Sequence, residues 1–126
     1  MRVYVAAPWV RREEARESAQ RILAAGHTIV SRWLREHGDS TDPRVLAHEA
    51  QVDYEDVVDS DVLVLINLEK SEGKSVETGI AIGAGLPVIV VGERSNIFHY
   101  LDRGEFGMIV VPTLDEAIGI LEGLRA

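Results

Sequence analysis

Dense apolar runs alternate along the chain with longer stretches whose apolar residues recur at helical spacing. Residues 2–6, R-V-Y-V-A, read as a first strand. Val10 to Ala25 is charged and alanine-rich, with Ala15, Ala19, Ile22 and Leu23 spaced along one helix face; Gly26 is placed to end that helix. His27–Ser31 is a short second strand, and the polar residues 35–44 form a loop with Gly and Pro. Asp42 followed by Pro43 is a cap and a first helical residue, opening a helix to about Asp59. Residues 61–67 are the most apolar run, as expected for a strand buried on both faces of a parallel sheet. After the loop L-E-K-S-E-G-K-S come a helix from Ser75 to about Gly83 and a strand at 87–92. Residues 93–107 are ambiguous, with room for a short helix around Asn96–Leu101. A strand at 108–111 and a helix to about Leu124, opened by the capping box Thr113/Glu116, complete the pattern.

This order predicts a single-domain α/β fold over residues 1–126, a doubly wound (Rossmann- or flavodoxin-like) five-stranded parallel sheet with helices on both faces. Ligands in such sheets bind outside the carboxyl ends of the strands. The residues just after Ala6, Ser31, Asn67 and Gly92 are therefore the first candidates for a site.

Composition narrows the classes of function. With 46% hydrophobic and 27% charged residues, the chain has the make-up of a soluble globular domain. No apolar run approaches the ~20 residues of a membrane span, and the N-terminal stretch lacks the apolar core of a signal peptide. The absence of cysteine removes disulfides and thiolate chemistry, and a cytoplasmic protein is expected. A net charge of −8 repels polyphosphate backbones, so neither a nucleic-acid nor a membrane partner is expected. A small anion can still bind locally through backbone N–H groups at a helix N-terminus.

Glu77 falls near the start of the helix after the third strand, where the helix field would keep it ionised at neutral pH. An ionised, positioned carboxylate can attack an anomeric carbon; the same position also suits a first-turn charge with no further role. Asp53, on the preceding helix about a turn from Ala50 and Val57, which look buried, is a candidate to handle a leaving group, and equally a solvated helix acid. The loop Ser71–Ser75 offers hydroxyls, Gly73 and free amides suited to a phosphate or a sugar hydroxyl. Its G-K-S is not a P-loop, because Leu68 stands where that pattern needs glycine. Gly79, Gly83 and Gly85 do not form a dinucleotide fingerprint and read as helix–sheet packing and a C-cap. The four histidines, His27, His37, His48 and His99, lack ligand spacing, and no metal or other cofactor is expected. Trp9 and Trp33 are more often core or rim aromatics; Trp9 gains interest from its place at a strand's carboxyl end.

Together these residues resemble the nucleoside 2-deoxyribosyltransferase-like family, including its nucleotide N-hydrolase branch. The matching pieces are V-Y-V-A-A-P, the stretch from Asp53 through Asp61 into the apolar strand, the E-x-G-x-A at Glu77-Thr78-Gly79-Ile80-Ala81, and Gly85-Leu86-Pro87-Val88. The spacing from Asp53 to Glu77 fits the hydrolase branch without a gap. The resemblance covers nearly the whole chain, and it implies roles. Glu77 would be the nucleophile that forms a covalent glycosyl-enzyme, Tyr4 would orient it, and Asp53 would contact or protonate the base. Ser71 and Gly73 would hold a 5′-phosphate; Trp9 is a further candidate substrate contact from its place at the first strand's carboxyl end, apart from the family pattern. Asn96 would be lent to a neighbouring subunit's site near the sugar 5′-oxygen, in a homodimer or an assembly of dimers.

The implied activity is cleavage of the N-glycosidic bond of a 2′-deoxynucleoside or its 5′-monophosphate, with transfer of the deoxyribosyl group to another nucleobase. Hydrolysis to free base and sugar is the alternative, and a non-catalytic nucleotide-binding regulatory module is the alternative of another class. Two departures bear on the choice. Pro8 and Val10 occupy the places of a Ser and an Arg found in the nucleotide hydrolases, leaving Arg11 or Arg12 to supply that charge. The transferases have a C-terminal tail whose carboxylate reaches the site, whereas this chain ends at Ala126, just past its last helix.

Overall fold

The computed structural model describes residues 1–104 and 107–125. Glu105 and Phe106, part of the stretch 93–107 left ambiguous above, and Ala126 lie outside the described residues. The elements follow in the order β1 (Arg2–Ala6), a 3-10 turn (Trp9–Arg11), α1 (Arg12–Ala24), β2 (Thr28–Ile29), α2 (Trp33–Glu36), α3 (Pro43–Val58), β3 (Val62–Asn67), α4 (Glu72–Gly83), β4 (Val88–Gly92), a second 3-10 turn (Ile97–Tyr100), β5 (Met108–Val111) and α5 (Leu114–Arg125).

The sheet is parallel throughout, in the order β2-β1-β3-β4-β5. This is the flavodoxin-like doubly wound arrangement, with its switch point between β1 and β3. The expected α/β class, five parallel strands and helices on both faces are all present. Val62, Leu63 and Val64 of β3 are fully buried, as are Val3, Tyr4 and Val5 of β1. Each such Val or Leu contributes roughly 2 kcal/mol through removal from water. Helices α3 and α4 pack together, with α4 against β1, β3 and β4, while α1 and α5 are joined by the Arg21–Asp115 ion pair. Leu23, expected on the apolar face of α1, remains half exposed.

Second-strand pairing is shorter than the His27–Ser31 run suggests. Only Thr28 and Ile29 form the strand, and Val30 N–H adds one bond to Val3 C=O at 2.9 Å. Further along β1, side chains replace the ladder. Val5 N–H donates to Ser31 Oγ at 3.1 Å, and Trp33 Nε1 donates to Val5 C=O at 2.7 Å. These contacts satisfy buried backbone groups that a longer β2 would have paired, and they make Trp33 a core residue.

Two acids on the 53–61 stretch have structural partners. Asp61 N–H donates to Arg2 C=O at 2.8 Å, and Asp61 Oδ2 accepts from Arg2 N–H at 2.7 Å. The second acid of the family-like pattern thus clasps β1 to β3 at the amino edge of the sheet. Buried Asp56 accepts from Arg32 N–H at 2.9 Å and pairs with the Arg32 guanidinium, tying the start of α2 to α3. Asp42 caps α3 as expected, accepting from Arg44 N–H at 2.9 Å. Gly85 follows the end of α4 with φ +77°, a C-terminal glycine turn. The packing role expected of Gly79 and Gly83 is absent, since a Cβ at either position would meet nothing within 4 Å.

Candidate active site

Three acidic or phenolic groups converge from three elements near the switch point. Tyr4 points from the middle of β1 toward α4, where its hydroxyl donates to Glu77 Oε2. Asp53 on α3 is close enough to raise the pKa of both Tyr4 and Glu77 by its charge. Strand alternation explains the placing of Tyr4: its neighbours Val3 and Val5 face the opposite side of the sheet.

The position of Glu77 differs from the sequence expectation in a way that changes its chemistry. Helix α4 begins at Glu72, with Ser71 as the N-cap residue, so Glu77 lies more than a turn inside it. The N-terminal field has faded there, and burial dominates. It pushes the Glu77 carboxyl up to about 8, against the Tyr4 hydrogen bond that lowers it and with the Asp53 charge that raises it further. The expected carboxylate, fully ionised at neutral pH, is therefore replaced by a group that holds its proton there. Burial and the neighbouring Glu77 charge hold the Tyr4 phenol far above its usual range, so Tyr4 remains a donor at every working pH. Burial also raises Asp53, His37 opposes this, and Asp56 and Glu49 add to it. Val57 is buried as expected beside it, while Ala50 faces solvent.

A second group of side chains gathers at the start of α4. Lys70, Ser71, Glu72, Lys74, Ser75, Val76, Ser95 and Asn96 line a hollow of about 640 Å³. The Ser71 hydroxyl makes no capping bond, and Ser75 Oγ donates to Ser71 C=O at 3.1 Å. Gly73 sits in the first turn of α4, exposed. Asn96 caps the Ile97–Tyr100 turn of its own chain through Oδ1, which accepts from Phe98 N–H at 2.8 Å. The carboxyl cluster does not line this hollow, but Glu77 directly follows Ser75 and Val76, which do. Trp9 stands on the turn leaving β1, with its ring 6.2 Å from that of Trp33, the Arg12 guanidinium over its face, and Nε1 donating to Asp39 at 3.2 Å. Arg11 is paired with Glu14 and Glu69, so two carboxylates already hold its charge.

Two residues that the sequence pattern passed over belong to this region. Lys74 is 3% exposed, donates to Asn67 Oδ1, and has no carboxylate within salt-bridge distance among the described residues. Burial lowers its pKa. Asn67 in turn donates to Glu93 C=O at 2.6 Å, beside Gly92, whose φ of +120° brings its Cα to where a Cβ would lie 3.1 Å from Asn67 C=O. His37 Nε2 lies 2.8 Å from Asp53 Oδ1. Helical spacing carried no signal for either: Lys74 lies in a segment that reads as loop, and His37 reaches Asp53 only through the fold.

The chain is thus a doubly wound α/β protein with Tyr4, Asp53 and Glu77 gathered near its switch point. No family model matches the chain, and no curated protein matches it in sequence. Among solved structures it is similar to the CMP N-glycosidase BcmB of Clostridium botulinum, with 18% identity over 97% of this chain and 98% of that one and a TM-score of 0.61. It is also similar to a 2-deoxyribosyltransferase from the psychrotolerant bacterium Bacillus psychrosaccharolyticus, with 19% identity over 94% of this chain and 90% of that one and a TM-score of 0.70. At these identities the likeness speaks for the fold. No helix among the described residues is long and apolar enough to cross a membrane.

Titration of the Glu77 carboxyl, followed by carbon NMR, is expected to centre near 8. Tyr4→Phe removes the bond that favours the ionised form and should move the midpoint upward. The folded state binds this proton more tightly than the unfolded chain, so the stabilisation is complete at acid pH and is lost as pH rises toward 8. Glu77→Gln should accordingly gain in Tm over the wild type between about pH 5 and about pH 9. A Glu77 midpoint in the ordinary carboxyl range contradicts this account.

Proposed function

We propose that this chain is an enzyme that cleaves the N-glycosidic bond of a nucleoside or nucleotide, with Glu77 as nucleophile and Asp53 serving the departing base. The observation that carries the reading is the Tyr4 hydroxyl bonded to the partly buried Glu77 carboxyl with Asp53 beside it. A glycosyl transfer through a covalent intermediate needs two carboxyl groups in different protonation states. Substrate binding must select the ionised form of Glu77, and Tyr4 stabilises that form. The Glu77 oxygen then bonds to C1′ as the C1′–N bond breaks, and Asp53 gives a proton to the base.

The likeness to a deoxyribosyltransferase and to a CMP N-glycosidase supports this bond as the target. The hollow beside Ser71 favours a substrate bearing a 5′-phosphate. Two lysines, three serines and the amide groups at the start of α4 surround it, and such donors suit a phosphate. Lys74 supplies a cation where Pro8 and Val10 do not. The reading takes a 2′-deoxynucleoside 5′-monophosphate as substrate and either water or a second base as acceptor, since both acceptors share the first half-reaction. No cofactor enters these steps.

The same reading makes the protein a homo-oligomer, with Asn96 lent across the interface. Val76, Ile97, Phe98 and Tyr100 are each more than half exposed around the start of α4 and the second 3-10 turn, and a patch of this kind suits contact with a second copy. Light scattering on the pure protein is expected to give a dimer or a multiple of one; a monomer at micromolar concentration contradicts that part.

The activity is read by incubating a panel of nucleosides and monophosphates and separating free base by chromatography. Wild type should release base from at least one of them, and Glu77→Gln should lower that rate at least about a thousandfold. A second base added to the reaction shows transfer by forming a new nucleoside, and hydrolysis by leaving free sugar. Near-wild-type base release by Glu77→Gln would overturn the reading.

A further inference from the structure

Asp53 faces a mostly acidic set of neighbours. Asp56 and Glu49 act on it from its own helix, and it acts in turn on Tyr4 from β1 and Glu77 from α4. Among the described residues that act on Asp53, His37 is the one base. His37 follows α2 in extended conformation, with φ −81° and ψ 146°. Its segment is tied on both sides: Gly38 N–H donates to Glu49 on α3 at 3.4 Å, and Asp39 accepts from Trp9 at 3.2 Å.

The contact between the two side chains is unusual. Nε2 of His37 is 2.8 Å from Oδ1 of Asp53. Both atoms are shielded from water and have no other polar partner among the described residues. A close acid–base pair shut away from water beside a candidate nucleophile resembles groups kept ready to exchange a proton.

Resting on the glycosidic-cleavage reading, we propose that His37 is the proton partner of Asp53, positioning its carboxyl and resupplying the proton that the departing base takes. When the C1′–N bond breaks, its electron pair stays on the base nitrogen while a Glu77 oxygen bonds to C1′. That nitrogen takes the proton of Asp53, and His37 Nε2 passes its own proton to Asp53 Oδ1. His37 regains a proton from solvent, to which 11% of its side chain is open. In the second half-reaction the path runs in reverse: His37 releases a proton to solvent and takes that of Asp53, and the ionised Asp53 accepts the proton of the acceptor, water or a base N–H. The acceptor bonds to C1′, and the electron pair of the C1′–O bond returns to Glu77. His37 is thus a positioning residue that acts through Asp53, outside contact with the sugar.

The test separates leaving groups that need a proton from one that does not. Wild type and His37→Gln, with His37→Asn in reserve should Gln impair folding, are compared on two substrates. One is the best-cleaved nucleotide of the panel; the other is p-nitrophenyl deoxyribose 5′-phosphate, whose leaving group departs as a stable anion. The expected result is a fall in kcat of about a hundredfold on the nucleotide with KM little changed. On the p-nitrophenyl substrate the change should stay within about threefold. Equal losses on both substrates, a loss on the p-nitrophenyl substrate alone, or no loss on the nucleotide would overturn the role of His37 and leave the glycosidase reading standing. Wild type that cleaves neither substrate would overturn that reading itself, and this inference with it.

Discussion

A carboxyl group taken out of water must be met by donors or keep its proton, and at Glu77 both happen in part. The Tyr4 hydroxyl meets one oxygen, yet burial leaves the group with a pKa of about 8. An extra buried charge is costly, so the folded protein prefers Glu77 protonated near neutrality. The same physics raises Tyr4 and Asp53, and the charge of Asp53 acts on both Tyr4 and Glu77. A bound sugar with developing positive charge at C1′ would reverse the preference, because it stabilises the ionised carboxyl.

The fold brings this about through its winding. Order β2-β1-β3-β4-β5 places β1 beside β3, so a side chain in the middle of β1 can reach the helix that follows β3. Helix α3, which carries the chain across from β2 to β3, packs on α4 and brings Asp53 to the same place. Asp61 and Arg2 fasten β1 to β3 at the far edge. Farther toward solvent, the start of α4 supplies amides, hydroxyls and Lys74 around a separate hollow. Glu77 and the hydroxyl- and amide-rich hollow thereby lie on one helix, the hollow at its first turn and Glu77 farther along.

Much of this was legible in the chain. The apolar runs of β1, β3 and β4 and the cap Asp42-Pro43 carried local signals strong enough to fix the class of fold and most element bounds. The family resemblance carried by V-Y-V-A-A-P, Asp53 and E-x-G-x-A pointed to Tyr4, Asp53 and Glu77, which the structure does bring together. Two features were not legible. Gly73 and Lys74 read as loop, yet the chain is already helical from Glu72, and that shift carries Glu77 out of the helix field and leaves burial in control. His37 follows a polar stretch with no periodicity, and its contact with Asp53 arises from the packing of α2 and the following loop on α3. The short β2 escaped for a similar reason: Ser31 and Trp33 use side chains to finish what the strand pattern assigned to backbone.

The central claim is that Glu77 forms a covalent bond to the sugar, and the most direct test is to stop a reaction in turnover with acid and examine the protein by mass spectrometry. The account predicts a fraction of the chain heavier by one sugar unit, with the adduct on the peptide that contains Glu77. Base release without an adduct, or an adduct on another residue, would contradict it.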